Sequence, residues 1–409
     1  MRHIVVMVAT SYPRFPGDGV GSFMAPIAHG VAARGHEVHM VLPWHPAITL
    51  PAEQNGVRFH FFKYAPTESL AVFGYAGGLK ADTALRSAAW AVAPAALVAG
   101  WATARRVAAR YRATIMHGHW VIPGGLMAAA ARGTRPLVVS LHGSDVFVAE
   151  RNALARRAAR STFARAGWVT ACSDDLRTRA IALGAAPDRI ETVAYGVDAA
   201  RFRPDPAARA DIRRELELGD EPLVVAAGRL VSKKGFEYLI DAVASMTDIP
   251  CLCLAIAGEG DLREALVARA APLGSRVRLL GNRSQDDIGR LCAAADVVAV
   301  PSIRDDAGNV DGLPNFALEA LASATPVVAT RAGGLPQAIE DGVTGRLVSE
   351  RNAVELARAI RDLLQHPADA QRLGAAARAH VDARFGWART AERFEAAYEN
   401  AVVLASRSK

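Results

Sequence analysis

A chain of 409 residues is too long for one ordinary core and predicts two domains of about 200 residues each, and its 51% apolar residues suffice to fill both. The net charge of +7 sits in the first half: residues 1–200 carry 21 Lys+Arg against 12 Asp+Glu, whereas residues 201–409 carry 27 against 29. That asymmetry predicts an anionic partner for the first half, a membrane surface or an acidic acceptor, and without a known reader motif or a basic stripe interleaved with aromatics it argues against nucleic acid.

The chain opens on Met1-Arg-His-Ile-Val-Val-Met-Val-Ala9. One early arginine and a short apolar run make a buried strand a better reading than a secretory signal, so a cytoplasmic protein is expected. The loop that follows, Pro13-Arg-Phe-Pro-Gly-Asp-Gly-Val-Gly-Ser-Phe23, leads into an apolar-periodic helix. Gly17, Gly19 and Gly21 permit sharp turns that bring N–H groups to an anion at that helix N-terminus. The spacing is not the GxGxxG of dinucleotide folds, which disfavours hydride transfer.

Short β-branched runs then alternate with helical stretches: His3 to Ala9, Glu37 to Leu42, Thr114 to His117, Pro136 to Leu141 and Trp168 to Cys172. Such alternation predicts an α/β class with a parallel sheet covered on both faces. The segment Ser87 to Trp101 is apolar and Ala-rich, contains Pro94, and is followed by Arg105, Arg106, Arg110 and Arg112. It is too weakly apolar to span a bilayer. It reads either as a helix at a membrane interface or, more simply, as a helix packed on its own domain.

After the Pro136 to Leu141 strand comes Leu141-His-Gly-Ser-Asp145. Carboxyl ends of strands face the ligand crevice in open α/β sheets, so His142 is a candidate to bond a sugar hydroxyl or shuttle a proton. His117 and His119, one strand earlier, are weaker candidates; two histidines without a nearby acid do not define a metal site. Tyr195 to Pro206, with two prolines and a Gly-Val-Asp turn, is the linker candidate.

The strand pattern restarts at Pro222 to Ala227 and continues through Cys251 to Ala257, Val277 to Leu280, Val297 to Val300 and Pro326 to Thr330. Cys251 and Cys253 would share a strand face, and with Cys172 and Cys292 they read as buried free thiols rather than a disulfide or zinc set. In Ala227-Gly-Arg-Leu-Val-Ser-Lys-Lys-Gly-Phe236, Arg229 and Lys234 leave a strand end in a Gly-rich turn, where a guanidinium and an ammonium can neutralise a diphosphate. With no Asp-x-Asp triplet to clamp a metal, these cations become the expected charge stabilisers.

In Asp311-Gly-Leu-Pro-Asn-Phe-Ala-Leu-Glu319, Pro314 suits the first turn of a helix, so that Asp311 precedes the helix and Glu319 lies inside it. The two carboxylates do not share a helical face, and backbone N–H groups from Gly312 onward are available to an anion.

These motifs, with "AGEGDLR", "AADVVAVPS" and "GGLPQAIEDGVTGRLV" in the same order, resemble those of retaining glycosyltransferases of family 4, the glycosyl transferases group 1, over nearly the whole chain. The resemblance implies a GT-B fold: two doubly wound Rossmann-like domains facing a central cleft. Residues 1–198 would form the acceptor side, 199–385 the nucleotide-sugar side, and 386–409 a helix crossing back to the first domain. It implies Arg229 and Lys234 at the diphosphate, Glu319 on the ribose hydroxyls, and Asp311 and His142 beside the donor sugar. Gly312, Leu313 and Pro314 would lie near sugar and phosphates, and Glu259 and Asn282 would border the nucleotide. Asp311 stands where the family usually has glutamate, and Gln337 where "GGxPE" is commoner; the shorter acid can break a hydrogen bond.

The implied activity is metal-independent transfer of a sugar from a nucleotide diphosphate to a hydroxyl acceptor (lipid-linked, glycan or small molecule), without a cofactor, in cell-envelope or polysaccharide biosynthesis. The basic first half adds an expected peripheral contact with an anionic membrane at its inner face. A nucleotide-sugar-binding pseudoenzyme, suggested by Asp311, and a GT-B epimerase are the alternatives.

Overall fold

The computed structural model describes residues 1–75, 79–80, 84–85 and 87–407. They form two compact units: Met1–Ala194 with Trp387–Lys409, and Tyr195–Gly386.

In the first unit seven parallel strands follow the β-branched runs: β1 (Ile4–Val8), β2 (Glu37–Pro43), β3 (Val57–Phe62), β4 (Ile115–His119), β5 (Leu137–Leu141), β6 (Trp168–Ala171) and β7 (Ile190–Thr192). They are ordered β7-β6-β5-β4-β1-β2-β3, and a two-residue strand, Glu53–Gln54, closes the β3 edge in antiparallel sense. The order reverses between β1 and β4, so the loops after these two strands flank the crevice of the sheet. Helices α1 (Met24–Ala33), α2 (Ser87–Arg110) and α3 (Ser144–Arg151) belong to this unit.

The packed-helix reading of the Ala-rich segment holds. Helix α2 lies on β1, β2 and β3. A Cβ at Gly100 would meet Met127 Sδ at 2.3 Å and Phe62 Cζ at 3.1 Å, so the helix packs closely on these two side chains here. Trp101 Nε1 donates to the Ala130 carbonyl at 3.2 Å, while the side chain of Trp90 lies outside the described residues. Among the described residues, no helix is long and apolar enough to cross a membrane. The C-terminal helix, Trp387–Arg407, packs on α1, where Gly30 faces the Ala391 Cβ, and Tyr398 is buried from it against His117.

The second unit has six parallel strands: β8 (Leu223–Ala227), β9 (Cys253–Ala257), β10 (Val277–Gly281), β11 (Val297–Val300), β12 (Val327–Thr330) and β13 (Arg346–Val348). Their order, β10-β9-β8-β11-β12-β13, again reverses at the first strand, here between β8 and β11. Strands such as Leu-Val-Val-Ala-Ala are buried along their whole length because helices cover both faces. Helix α4 (Phe236–Ser245) packs Leu239, Ile240 and Val243 against Val224, Leu254 and Ile360. Each such buried side chain contributes about 1.5–3 kcal/mol. Helix α5 (Asn315–Ala322) is buried at every residue from Phe316 to Ala322.

Three local expectations are corrected. Cys251 is exposed and outside β9: a turn closed by the Leu252 N–H on the Ile249 carbonyl at 3.1 Å carries it past Pro250, so only Cys253 is a strand thiol. Pro314 is the N-cap rather than the first turn, its ψ of 120° being extended, and α5 starts at Asn315. Strands β3, β7 and β13 are additional to those expected.

Candidate functional site

The second unit gathers its charged candidates at the switch point between β8 and β11. After β8 the chain passes Gly228 and Arg229, makes a tight turn at Ser232–Lys234, and enters α4 through Gly235. Gly235 has φ +62°, and a Cβ there would fall 2.1 Å from the Pro301 carbonyl, so this turn sits directly on the end of β11. The Ile303 N–H donates to the Lys233 carbonyl at 2.8 Å. Lys234 lies along the backbone of Gly228, whose hypothetical Cβ would meet Lys234 Cε at 3.1 Å.

Asp311 receives this turn. Lys233 Nζ is 3.1 Å from Asp311 Oδ1, Lys234 Nζ is 2.7 Å from Oδ2, and Ser302 Oγ donates to Oδ2 at 3.1 Å. The three charged side chains are only 11–16% exposed. Burial alone would raise the Asp311 carboxyl, but the ammoniums of Lys234 and Lys233 outweigh it and hold the group well below the usual carboxylate range. The next glycine-rich loop braces the backbone from behind: Gly333, φ +52°, leaves no room for a Cβ, which would stand 2.0 Å from the Asp311 carbonyl.

Glu319, on α5, is 7% exposed. Burial raises its carboxyl to about 7; a hydrogen bond with Gln285 and the charges of Arg201 and Lys234 oppose the shift. Gln285 is placed by a capping box, in which Ser284 Oγ accepts the Asp287 N–H at 3.1 Å and Asp287 accepts the Ser284 N–H at 3.3 Å. Gly312, Leu313 and Pro314 are buried between Asp311 and the start of α5.

The remaining candidates of this unit lie further out. Arg229 is exposed in the loop after β8. Glu259, after β9, is exposed and pairs with Arg263 at 3.0 Å; its Oε1 lies beside Gly281, next to the exposed Asn282 after β10. These two are therefore neighbours on the strands outboard of β8. Gln337 lies in the short helix Leu335–Ala338 behind Gly333 and Gly334.

In the first unit the candidates also converge at the switch point. Phe23, at the N-terminus of α1 and the end of the glycine loop, packs its ring 4.9 Å from that of His142 and 5.9 Å from that of Trp120. His142 is half-buried after β5, with Nε2 3.1 Å from Nδ1 of the buried His119. Burial, then the neighbouring His119, lowers His142 well below the ordinary histidine range, so its imidazole is neutral at pH 7. His119 is lowered by burial to about 3. His117 is a structural residue, hydrogen-bonded to Tyr398 at 2.9 Å and to Ser140 at 2.7 Å.

Gly17 and Gly21 take the left-handed φ values of +86° and +65° that their turns require; Gly17 and Gly19 are exposed and border open space. Asp18 organises the loop between them. It accepts the Arg14 N–H at 3.0 Å and the Val20 N–H at 3.1 Å and pairs with the Arg14 guanidinium at 2.6 Å.

Sequence reasoning missed four residues that hold these sites. Asp18 is signalled by its Gly-Asp-Gly turn. Asp145 accepts the N–H groups of Val121 at 2.7 Å and Gly143 at 3.0 Å, fastening the loops after β4 and β5 together; its place in "HGSD" was visible, its role was not. Lys233 adjoins Lys234 in the sequence, and Ser302 ends "AVPS". Among the described residues, no three His, Cys, Asp or Glu side chains gather as a metal site.

Comparison with known proteins agrees with this architecture. Residues 208–380 match the family described as glycosyl transferases group 1, and residues 18–196 match the glycosyl transferase 4-like domain. The GDP-mannose-dependent alpha-(1-6)-phosphatidylinositol monomannoside mannosyltransferase of Mycolicibacterium smegmatis is 37% identical over 262 residues, covering 63% of this chain and 68% of the relative. The D-inositol 3-phosphate glycosyltransferase of Nocardia farcinica is 33% identical over 315 residues, covering 74% and 64%. Among solved structures, the sucrose-phosphate synthase of Thermosynechococcus elongatus superposes with a TM-score of 0.79 at 22% identity, over 98% of this chain and 100% of that one. Anabaena HepE in complex with UDP-glucose gives 0.75 at 22% identity, over 99% and 100%. At these identities the structural likenesses establish the fold, GT-B, and nothing finer.

Proposed function

Since the chain belongs to the glycosyl transferases group 1 and is a nucleotide-sugar-dependent glycosyltransferase of GT-B fold, we propose that it transfers a hexose with retention and without a metal to a hydroxyl of a lipid-linked acceptor. The observation that carries this reading is the lysine pair on Asp311 at the β8/β11 switch point, with Glu319 buried behind it. Fixed ammoniums at the carboxyl end of a parallel sheet suit a diphosphate, and they can stabilise the charge that develops as it departs.

The roles are those the family resemblance implies, and the chemistry of each group supports them. Arg229 and Lys234 neutralise the diphosphate. Glu319 accepts hydrogen bonds from the ribose hydroxyls and does so best when ionised. N–H groups from Gly312 onward bind sugar or phosphate oxygens. His142, neutral, hydrogen-bonds a sugar hydroxyl without adding charge. The acceptor hydroxyl attacks from the face that the diphosphate leaves, and the leaving phosphate takes its proton, so no side-chain nucleophile is needed. The names of the relatives support GDP-mannose as the first donor to test and a phosphatidylinositol mannoside as the first acceptor. The excess of basic residues in the first half supports an anionic lipid acceptor.

The test is a panel of GDP-, UDP- and ADP-sugars, read first by thermal stabilisation and then by nucleotide release with and without acceptor. Acceptor-dependent release with retention at the anomeric carbon is the expected result. A donor that binds but is never turned over with any acceptor would favour the pseudoenzyme, and isomerisation without transfer the epimerase.

A further inference from the structure

The geometry points to Lys233 and Lys234 as a two-ammonium seat for one phosphoryl group, and to Asp311 as an internal anion that competes with the donor diphosphate for that seat. The assignment rests on the nucleotide-sugar reading above and makes Lys233 a second phosphate-binding lysine.

Each oxygen of the carboxylate serves a different ammonium, Oδ1 with Lys233 at 3.1 Å and Oδ2 with Lys234 at 2.7 Å. Two oxygens of a phosphoryl group can bridge two ammoniums in the same way. The side chains are 11–16% exposed, and at that burial a pair of ammoniums without an anion is strongly disfavoured. Either Asp311 or another anion must therefore stand between them.

The backbones that carry these groups cannot separate easily. Gly235 is pressed on the Pro301 carbonyl, Gly333 on the Asp311 carbonyl, and the Ile303 N–H is bonded to the Lys233 carbonyl. The freedom left is side-chain rotation. A diphosphate entering the seat shares or displaces the Asp311 carboxylate, while Ser302 Oγ, 3.1 Å away, remains a donor to it. Two ammoniums and one carboxylate leave a single net positive charge facing the diphosphate. Asp311 thereby weakens the grip on the nucleoside diphosphate product and speeds its release. A carboxylate whose only duty was to bond a donor-sugar hydroxyl would not affect a ligand lacking the sugar.

The experiment measures affinity for free GDP, UDP and ADP by calorimetry in the full-length protein, for wild type, Lys233→Gln, Asp311→Asn and the double variant. Asp311→Asn is expected to bind the nucleoside diphosphate about tenfold more tightly, the effect of one nearby unit charge at a partly screened site, with a slower product-release step. Lys233→Gln, which keeps the Asp311–Lys234 pair and so guards against a folding failure of the other variant, is expected to bind about tenfold more weakly. The double variant should return to about wild-type affinity, the sum of the two opposing effects. If wild type binds a nucleoside diphosphate and Lys233→Gln leaves its affinity unchanged, the lysine seat is wrong. Should Asp311→Asn leave the affinity for all three nucleoside diphosphates unchanged, or lower it, the competition is wrong. Failure of wild type to bind any of the three would overturn the nucleotide-sugar reading and this assignment with it.

Discussion

Replacing Glu319 by Gln isolates the energetic consequence of a buried, ionisable carboxyl that we propose binds the ribose. The carboxyl is raised from 4.5 to about 7, chiefly by burial, which corresponds to about 3 kcal/mol of resistance to ionisation. The sign follows from the proton count. Between pH 4.5 and 7 the folded state keeps a proton that the unfolded chain has lost, so wild type loses stability as pH rises through that window and the loss is complete above about 7. Gln has no proton to lose. The Glu319→Gln variant should therefore match wild type near pH 4.5 and exceed it by up to about 3 kcal/mol at pH 8. For a unit of this size about 2–4 °C accompanies each kcal/mol, so the difference in Tm should grow by about 6 °C or more across that range. Donor binding should move oppositely, because ribose hydroxyls favour the ionised acid. Affinity for the sugar nucleotide, whose diphosphate does not titrate here, should fall about tenfold from pH 8 to pH 6 in wild type. It should be weak and nearly pH-independent in the variant. Thermal unfolding and calorimetry at half-unit pH steps provide the assay. A stability difference that does not change between pH 4.5 and 8, or a binding profile shared by both proteins, would refute the reasoning.

Lys234→Ala and Arg229→Ala should each lower turnover by about 10²–10³ with an unchanged far-UV spectrum, Arg229→Ala with Tm nearly intact and Lys234→Ala with a lower Tm, because it removes one of the two ammoniums paired with the buried Asp311; near-normal rates in both would remove the phosphate assignment. Gly333→Ala places a Cβ 2.0 Å from the Asp311 carbonyl at φ +52°, and should cost more than about 1 kcal/mol and displace Asp311, seen as a lower Tm together with altered nucleoside diphosphate affinity. Cys251 is the exposed thiol among four cysteines, so a chromogenic disulfide reagent should titrate one thiol quickly in the native protein and all four after denaturation.

The fold was largely legible because parallel strands buried on both faces are written as runs such as "LVVAA" and "VVAV", and the alternation with helices leaves few topologies. The strands that escaped are informative. Val57–Phe62 is "VRFHFF", with a charge and a histidine toward the sheet edge, and Arg346–Val348 is only three residues long. Neither carries the continuous apolar signature that marks an interior strand. Cys251 misled because a period of two continues through it, while Pro250 and the Ile249–Leu252 turn end the strand before it.

The site was legible in its residue types and less so in its pairings. Lys234, Asp311 and Glu319 stand out by motif, and the topology brings the first two into contact at the switch point. That the same carboxylate also engages Lys233 depends on a tight turn at Ser232–Lys234 and on the glycines that press it against β11, which are three-dimensional facts. Likewise "HGSD" advertised His142, whereas Asp145 acts through backbone N–H groups that lie 24 residues apart from it in one case. Burial, the first cause of the raised Glu319 carboxyl and of the lowered His119 and His142 imidazoles, has no local signature at all.

The most direct test of the central claim is nucleotide release from GDP-mannose and the other sugar nucleotides, measured with and without a phosphatidylinositol mannoside acceptor, in wild type and Lys234→Ala side by side. Acceptor-dependent release by wild type, with retention in the product and loss of turnover by at least about 10² in the variant, is the predicted result. Equal rates in the two proteins, or release that no acceptor accelerates, would contradict it.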